Sequence, residues 1–173
     1  LLLARARVAR RAARDGVSLS KRDLVERFCA GLQFVLTKTQ RHVVEEILED
    51  LSAPYQMCRL LQGDVGSGKT VVALVAVLQA IGSGYQAALM APTEILATQH
   101  YNTVVELLGP LGANTGLLIG KQPAALRAKM LTAIETGAID IVVGTHALIQ
   151  EAVSFPKLGL AIVDEQHRLD RKS

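Results

Sequence analysis

The residues of this chain that are best suited to chemistry begin with a glycine-rich stretch, which consists of Gly63, Asp64, Val65, Gly66, Ser67, Gly68, Lys69 and Thr70. The stretch fits the pattern G-x-x-x-x-G-K-S/T without a mismatch. Its glycines permit backbone conformations that are closed to other residues, so that successive N–H groups can turn inward around a phosphate. Lys69 would place a positive charge on the β- and γ-phosphates, and the Thr70 hydroxyl could ligate Mg²⁺. The stretch therefore predicts a P-loop that binds a nucleoside triphosphate.

A second reactive group consists of two carboxylates, Asp164 and Glu165, which directly follow the apolar run 158–163. Asp164 is suited to coordinate Mg²⁺, directly or through water, and Glu165 to orient or deprotonate an attacking water. Alone, the pair would be an ordinary acidic strand end. Roughly a hundred residues after a complete P-loop, it favours a hydrolase of nucleoside triphosphates. The Asn-Lys-x-Asp sequence by which GTPases commonly recognise guanine does not occur, which favours an ATPase.

Alternating strands and helices must position these groups. An apolar run before the P-loop predicts a strand, and the residues after Thr70 predict a helix whose N-terminus faces the phosphates. Strands are predicted at residues 57–61, 86–90, 114–119, 139–143 and 158–163, and helices at 1–14, 21–30, 37–52, 71–81, 94–108 and 123–135. Short apolar strands that alternate with helices indicate an α/β fold with a parallel sheet covered by helices on both faces.

Polar residues follow four of the five predicted strands. They are the P-loop, Pro92-Thr93, Thr145-His146 and Asp164-Glu165. Because ligands of parallel sheets bind at the carboxyl ends of the strands, we expect all of these residues to line one edge.

The role of Gln40 has two interpretations, and its spacing from neighbouring residues does not decide between them. Thr37-x-x-Gln40 is a capping box, in which the two residues satisfy free N–H groups at the start of a helix. Alternatively, the amide of Gln40 could pair with the edge of an adenine, since it offers both a donor and an acceptor.

Charge is distributed unevenly along the chain. The net charge is +3, but residues 1–27 hold eight Lys and Arg against three acids, which leaves −2 for the remainder. The basic balance therefore belongs to the N-terminal segment, and it does not indicate that the globular part binds nucleic acid. The arginines of residues 1–14 fall all round the predicted helix. This distribution favours a solvated connecting helix over direct contact with phosphates.

Composition also limits the class of protein. The longest uninterrupted apolar run, Val71 to Leu78, is far too short to span a membrane, and the N-terminus is unlike a secretory signal. We therefore expect an intracellular protein with no membrane partner.

Cys29 and Cys58 lack the spacing of a metal or redox site, and Cys58 is predicted to be buried in a strand. Since the chain begins without Met, we expect it to be part of a longer protein.

Residues 164–167, Asp-Glu-Gln-His, resemble motif II of the superfamily 2 helicases and translocases, which has the form DExH. Other stretches resemble helicase motifs in the same order: Leu-Thr-x-x-Gln at 36–40 precedes motif I, APTEILATQH at 91–100 is similar to motif Ia, and GTHAL at 144–148 is similar to motif Ib. The amino-acid sequences of three stretches are similar to those of the bacterial branch-migrating DNA helicases: APTEILA-x-QH, VVGTHALIQ and DEQHR. This resemblance covers nearly the whole chain.

The resemblance implies a RecA-like P-loop lobe at residues 36–173, preceded by a basic helical linker at residues 1–35. The whole protein would be an ATP-dependent helicase that uses Mg²⁺, translocates on duplex DNA and remodels stalled forks and Holliday junctions. The P-loop and Gln40 would bind the nucleotide. By the same resemblance, Pro92, Thr93, Thr145 and His146 would contact the DNA backbone, and Gln166 and His167 would couple the nucleotide state to DNA.

Partners outside this chain are implied as well. They are branched or duplex DNA, a second RecA-like lobe and an N-terminal wedge domain, and the protein would act at the nucleoid in the bacterial cytoplasm. Motif III and the second lobe with its arginines are absent, and residues 169–173 lack the aromatic and the glycine that follow motif II in the family. We therefore expect the isolated chain to be nearly inactive.

Other functions stay open at this point. Transcription–repair coupling translocases and primosomal helicases carry similar motifs, although the former normally have DEEH where this chain has Gln166. A nucleotide-dependent binding module and a P-loop kinase belong to other classes. A kinase would need a substrate pocket and lid arginines, which the sequence does not suggest.

Overall fold

The computed structural model describes residues 7–8, 16–64 and 66–164. The chain divides into two compact units, which we call the N-terminal unit (Leu1–Ser83) and the C-terminal unit (Gly84–Ser173). Within the described residues, no helix has both the length and the apolar character that crossing a membrane requires.

The described residues of the N-terminal unit form three helices, which are α1 (Asp23–Gly31), α2 (Lys38–Ser52) and α3 (Lys69–Gly82). An apolar stripe on α2 is buried, and its members are Val43, Val44, Ile47, Leu48 and Leu51. Burying one such side chain contributes about 1.5–3 kcal/mol. Since α3 packs against both α1 and α2, this burial holds the helix that follows the P-loop.

A buried amide joins the elements of the N-terminal unit. The side chain of Gln79 on α3 has no exposed surface, and its Nε2 donates to the Leu48 carbonyl and the Ser52 hydroxyl, both at 3.0 Å, and to the Leu19 carbonyl. Leu19 donates its own N–H to the carbonyl of Leu51 at 2.8 Å. A buried polar group is expensive to leave unpaired, so this network fixes the segment before α1 against α2 and α3.

Two short strands, β1 (Arg7–Val8) and β2 (Arg59–Leu60), pair antiparallel in the N-terminal unit. This pairing corrects two predictions. The helix predicted at 1–14 is wrong at Arg7–Val8, and its other residues lie outside those that the structure describes. The strand predicted at 57–61 is shorter and is not part of the parallel sheet. A ladder between segments far apart in sequence satisfies backbone groups on which local propensity gives no information.

Arg59 ties β2 to α2. Its Nη1 donates to Glu46 Oε2 at 3.1 Å, and its Nε donates to the carboxylate of Asp50. Burial lowers the pKa of Arg59, but hydrogen bonds and the charges of Asp50 and Glu46 outweigh it and raise the pKa above its ordinary value. The neighbouring Cys58 is exposed, so the prediction that it is buried is wrong. The reason is that β2 is not enclosed within the parallel sheet.

The C-terminal unit is built on a parallel sheet of β3 (Gln86–Met90), β4 (Thr115–Leu118), β5 (Ile141–Gly144) and β6 (Leu158–Val163), in the order β4-β5-β3-β6. Two helices, α4 (Glu94–Leu108) and α5 (Ala124–Glu135), flank it. The predicted bounds of β3, α4 and β6 agree with the structure, and those of β4, β5 and α5 differ by one or two residues. The predicted α/β class with a parallel sheet is confirmed.

The core of the C-terminal unit lies under the carboxyl ends of β4 and β5. Its fully or nearly fully buried members are Leu118, Ile134, Val142, Ala147 and Leu148. A Cβ on Gly144 would collide with the carbonyl oxygen of Leu118, so only glycine permits this close approach of the two strand ends. A short 3-10 helix, His146–Ile149, follows β5 and was not predicted from the sequence.

Candidate active site

The P-loop ends in the left-handed backbone conformation that its glycines were predicted to allow. Gly66 has a φ of 79° and Gly68 a φ of 84°, and Gly68 is the N-cap of α3. For Gly63 the conformational freedom stays a prediction from the sequence. The first N–H groups of a helix have no intrahelical partner, and α3 therefore presents free donors beside the loop.

Lys69, the first residue of α3, folds back over the loop. Its Nζ donates to the carbonyl oxygen of Gly63 at 2.6 Å and to that of Asp64 at 2.8 Å. Among the described residues it forms no ion pair with a carboxylate. The ammonium is thus held by neutral carbonyls in the loop, and its charge is available to an anion.

Gln40 is both the capping residue of α2 and a neighbour of the P-loop. Its Oε1 accepts from the Thr37 N–H at 2.8 Å, and the Thr37 hydroxyl accepts from the Gln40 N–H at 3.2 Å, which confirms the capping box. The Nε2 of Gln40 donates to the carbonyl oxygen of Ser67 at 2.9 Å. Since an amide nitrogen carries two protons, one donor remains, and recognition of adenine stays a prediction.

A groove beside Gln40 and Lys69 continues away from the P-loop. Its apolar side is formed by Val43, Leu61 and Val72. The hydroxyl of Ser67, which is 8% exposed, lines the same groove and has no hydrogen-bond partner within the described residues.

These features fit a nucleotide. A Cβ on Gly68 would fill the space in front of Gln40 Nε2, so the loop leaves room that only glycine preserves. The ammonium of Lys69, which is held by neutral carbonyl oxygens, and the hydroxyl of Ser67, which has no partner among the described residues, offer a charge and a polar group to phosphates. Thr70 lies exposed in the first turn of α3, and its role as a ligand of Mg²⁺ stays a prediction from the P-loop pattern.

Three turns lie side by side in the C-terminal unit. Met90 at the end of β3 pairs with Gly144 on one side and with Val163 on the other. The residues that follow β3, β5 and β6 therefore share one edge of the sheet, as predicted for these three strands. The P-loop belongs to the N-terminal unit.

Asp164 lies at this edge, directly after β6. Its N–H donates to the carbonyl oxygen of Met90 at 2.8 Å, and its Oδ2 is 2.7 Å from Nε2 of His100 on α4. Its other carboxylate oxygen has no protein partner among the described residues. One oxygen of Asp164 is thus held by protein while the other is free to bind a cation.

His100 was missed as a site residue, although it lies within the stretch that resembles motif Ia. A signal was present in the sequence. Ala97, Val104 and Leu108 are buried on the inner face of α4, and His100 falls on the same face at helical spacing. An imidazole in an otherwise apolar stripe needs a polar partner, and here that partner is Asp164.

The four residues expected to contact DNA occupy two of the three turns. Pro92 is half-buried and Thr93 is exposed, and the Thr93 hydroxyl caps α4 by accepting from the Leu96 N–H at 3.3 Å. His146 is exposed, whereas Thr145 is only 2% exposed and its hydroxyl accepts from Ala147 N at 3.5 Å.

The remaining predicted site residues lie outside the described part of the chain. They are Val65 in the P-loop and Glu165, Gln166 and His167 after Asp164. Their roles stay predictions from the sequence.

Comparison with known proteins identifies the family. Residues 37–173 match the DEAD/DEAH box helicases. ATP-dependent DNA helicase RecG of Synechocystis is 53% identical over 146 residues, which is 84% of this chain and 18% of that protein. RecG of Haemophilus influenzae is 54% identical over 146 residues, which covers 84% of this chain and 21% of the relative. The chain spans about a fifth of the length of these relatives.

A solved structure of RecG bound to a three-way DNA junction has the same fold, with a TM-score of 0.84 and 46% identity. The match covers 89% of this chain and 21% of that one. It agrees with the α/β class, and the match to the family covers the P-loop, the strands and the DExH sequence together. The chain therefore belongs to the DEAD/DEAH box helicase family.

Proposed function

We propose that this chain is the ATP-binding motor lobe of a DNA helicase that translocates on duplex DNA and remodels stalled forks and Holliday junctions. The observation that carries the proposal is the P-loop, where the Lys69 ammonium has the carbonyl oxygens of Gly63 and Asp64 as its partners among the described residues. In such a loop the ammonium can exchange its neutral carbonyl partners for the charged oxygens of a phosphate. The similarity to RecG bound to a three-way junction supports branched DNA as the substrate.

The proposed roles at the nucleotide follow from the chemistry of each residue. Lys69 and the loop N–H groups bind the β- and γ-phosphates, and the Thr70 hydroxyl and the Asp164 carboxylate are oxygen ligands of the kind that Mg²⁺ prefers. Mg²⁺ bound at these oxygens would supply positive charge that offsets the charge developing on the phosphates during hydrolysis. Glu165 accepts a proton from the attacking water.

DNA contact is proposed for the turns after β3 and β5. The exposed Thr93 and His146 can each offer a polar group to a phosphate, and the N-terminus of α4 adds free N–H donors. Thr145 is buried beneath His146, so its proposed contribution is to hold the turn through its hydroxyl. Gln166 and His167 are proposed to transmit the nucleotide state.

The lobe is proposed to comprise residues 36–173, with residues 1–35 as its linker, and the family match over residues 37–173 supports this division. In the whole protein it would work with a second RecA-like lobe and a wedge domain. The bacterial relatives support action at the nucleoid in the cytoplasm.

The test is the ATPase rate of a protein that carries this chain together with the second lobe. The rate is measured without DNA and with single-stranded, linear duplex and three-way junction DNA of equal nucleotide concentration. We expect the junction to stimulate most. A rate that no DNA changes would favour a nucleotide-dependent binding module instead. Strong stimulation by duplex with no preference for junctions would favour a transcription–repair coupling translocase.

A further inference from the structure

The bond between His100 and Asp164 joins two elements of the C-terminal unit that the proposed function uses for different ligands. Nε2 of His100 and Oδ2 of Asp164 are 2.7 Å apart, and the two side chains are 22% and 34% exposed. An ionised carboxylate only accepts hydrogen bonds, so the imidazole donates its Nε2 proton. Partial burial shields this bond from competing water.

We propose that His100 is a positioning residue, which holds the Asp164 carboxylate in its metal-binding orientation and links that orientation to the DNA-contacting end of α4. The proposal rests on the proposed function, in which Asp164 serves a magnesium-bound nucleotide. It assigns to His100 a role that neither the P-loop nor the DExH sequence indicates.

The orientation of Asp164 needs such a partner. Its backbone is fixed, because its N–H donates to Met90 at 2.8 Å, but the carboxylate can still rotate about the bond to Cβ. The hydrogen bond from His100 selects one rotamer, in which the second oxygen has no partner within the part of the chain that the structure describes. Hydrogen bonds to a metal-binding side chain typically change metal affinity or activity by about 10- to 100-fold.

The link to DNA follows from the position of His100 on α4. The helix is capped by the hydroxyl of Thr93, and His100 lies seven residues further, which is about 10 Å along a helix. The first turn is also tied to the loop after β4, because Glu94 Oε1 accepts the Lys121 N–H at 3.0 Å. A shift of this end of α4 when DNA binds would therefore move the imidazole that holds Asp164.

The test compares His100→Phe, which keeps the ring volume and removes the donor, with His100→Gln, which restores an N–H donor. Asn102→Ala, an exposed change on the same helix, is the matched control. The protein carries both lobes. Two quantities are measured: the affinity for a fluorescent, non-hydrolysable ATP analogue in Mg²⁺ and in EDTA, and the stimulation of ATPase by a three-way junction.

For His100→Phe we expect affinity to fall about tenfold in Mg²⁺ and to stay unchanged in EDTA, with a reduced stimulation by DNA. His100→Gln should recover most of the affinity in Mg²⁺ and most of the stimulation by DNA. Asn102→Ala should have the affinity and the stimulation of the wild-type protein. The proposal is overturned if His100→Phe binds as wild type does, if it loses affinity equally in Mg²⁺ and EDTA, or if His100→Gln recovers nothing. Wild-type protein whose binding is indifferent to Mg²⁺ would instead refute the proposed function.

Discussion

Nζ of Lys69 lies 2.6 Å from the carbonyl oxygen of Gly63, within the loop that the two residues help to form. The ammonium group of Lys69 is thus hydrogen-bonded to the backbone of its own loop. Phosphate oxygens are stronger acceptors than carbonyls because they carry charge, so a nucleotide can replace these bonds with better ones.

Removing this charge should abolish ATP turnover. Lys69→Ala deletes the ammonium but leaves the glycines of the loop in place, so we expect ATPase near background in the two-lobe protein and a nearly unchanged melting temperature. Lys129→Ala, an exposed lysine on α5, is the control for loss of one positive charge. Near-normal turnover in Lys69→Ala would refute the P-loop assignment.

Glu165→Gln tests the proposed general base. The amide keeps the shape of the side chain but cannot accept a proton, so hydrolysis should slow by about 10² to 10⁴ while binding of ATP and Mg²⁺ persists. Single-turnover hydrolysis and equilibrium binding separate the two effects. If the variant lost binding and kept its turnover per bound ATP, Glu165 would be a ligand.

Two glycines with the same positive φ provide a matched pair of substitution sites. Gly68 and Gly84 both have a φ of 84°, but a Cβ on Gly68 would collide with Gln40 Nε2, whereas a Cβ on Gly84 meets open space. Alanine at either position should destabilise by about 1–2 kcal/mol through the left-handed backbone.

Only Gly68→Ala should also weaken nucleotide binding, because it displaces Gln40 from the P-loop. Chemical denaturation and nucleotide titration measure the two effects. Equal nucleotide affinity in both alanine variants would show that the space in front of Gln40 is not needed.

Gln40→Glu separates the two hydrogen-bonding roles of that side chain. A glutamate can still accept from the Thr37 N–H, so the capping box and the melting temperature should be retained. It cannot donate to the Ser67 carbonyl, so affinity for nucleotide should fall. A larger loss for ATP than for inorganic triphosphate would support recognition of adenine, and an equal loss would assign the effect to the loop alone.

The isolated chain should be nearly inert as an enzyme. In P-loop ATPases an arginine that reaches the γ-phosphate from another surface contributes about 10³ to 10⁵ in rate, and the family resemblance places that arginine on the second lobe. Residues 1–173 are assayed beside a protein extended through that lobe, with and without forked DNA. Strong DNA-stimulated ATPase from residues 1–173 alone would refute this two-lobe mechanism.

The sequence was most informative where structure depends on neighbouring residues. The capping box of Thr37 and Gln40 and the positive φ of Gly66 and Gly68 depend on local backbone chemistry, and the structure contains them. The bounds of β3 and β6 follow from apolar runs between clear breakers.

Features that depend on contacts between distant segments were not predictable in the same way. The pairing of β2 with Arg7–Val8 joins residues some fifty positions apart, so no local pattern could indicate it. The burial of Thr145 depends on how the turn after β5 packs on the core. The bond from His100 to Asp164 spans 64 residues, and only the polar interruption of the α4 stripe pointed to it.

The buried amide of Gln79 also constrains the order of events during synthesis. Its bond to the Leu19 carbonyl spans 60 residues, so the segment before α1 leaves the ribosome long before its partner exists. At about 5–20 residues per second, translation delays Gln79 by several seconds. During that interval Leu19 has no α3 to pack against, and docking of the N-terminal segment must follow completion of the P-loop helix.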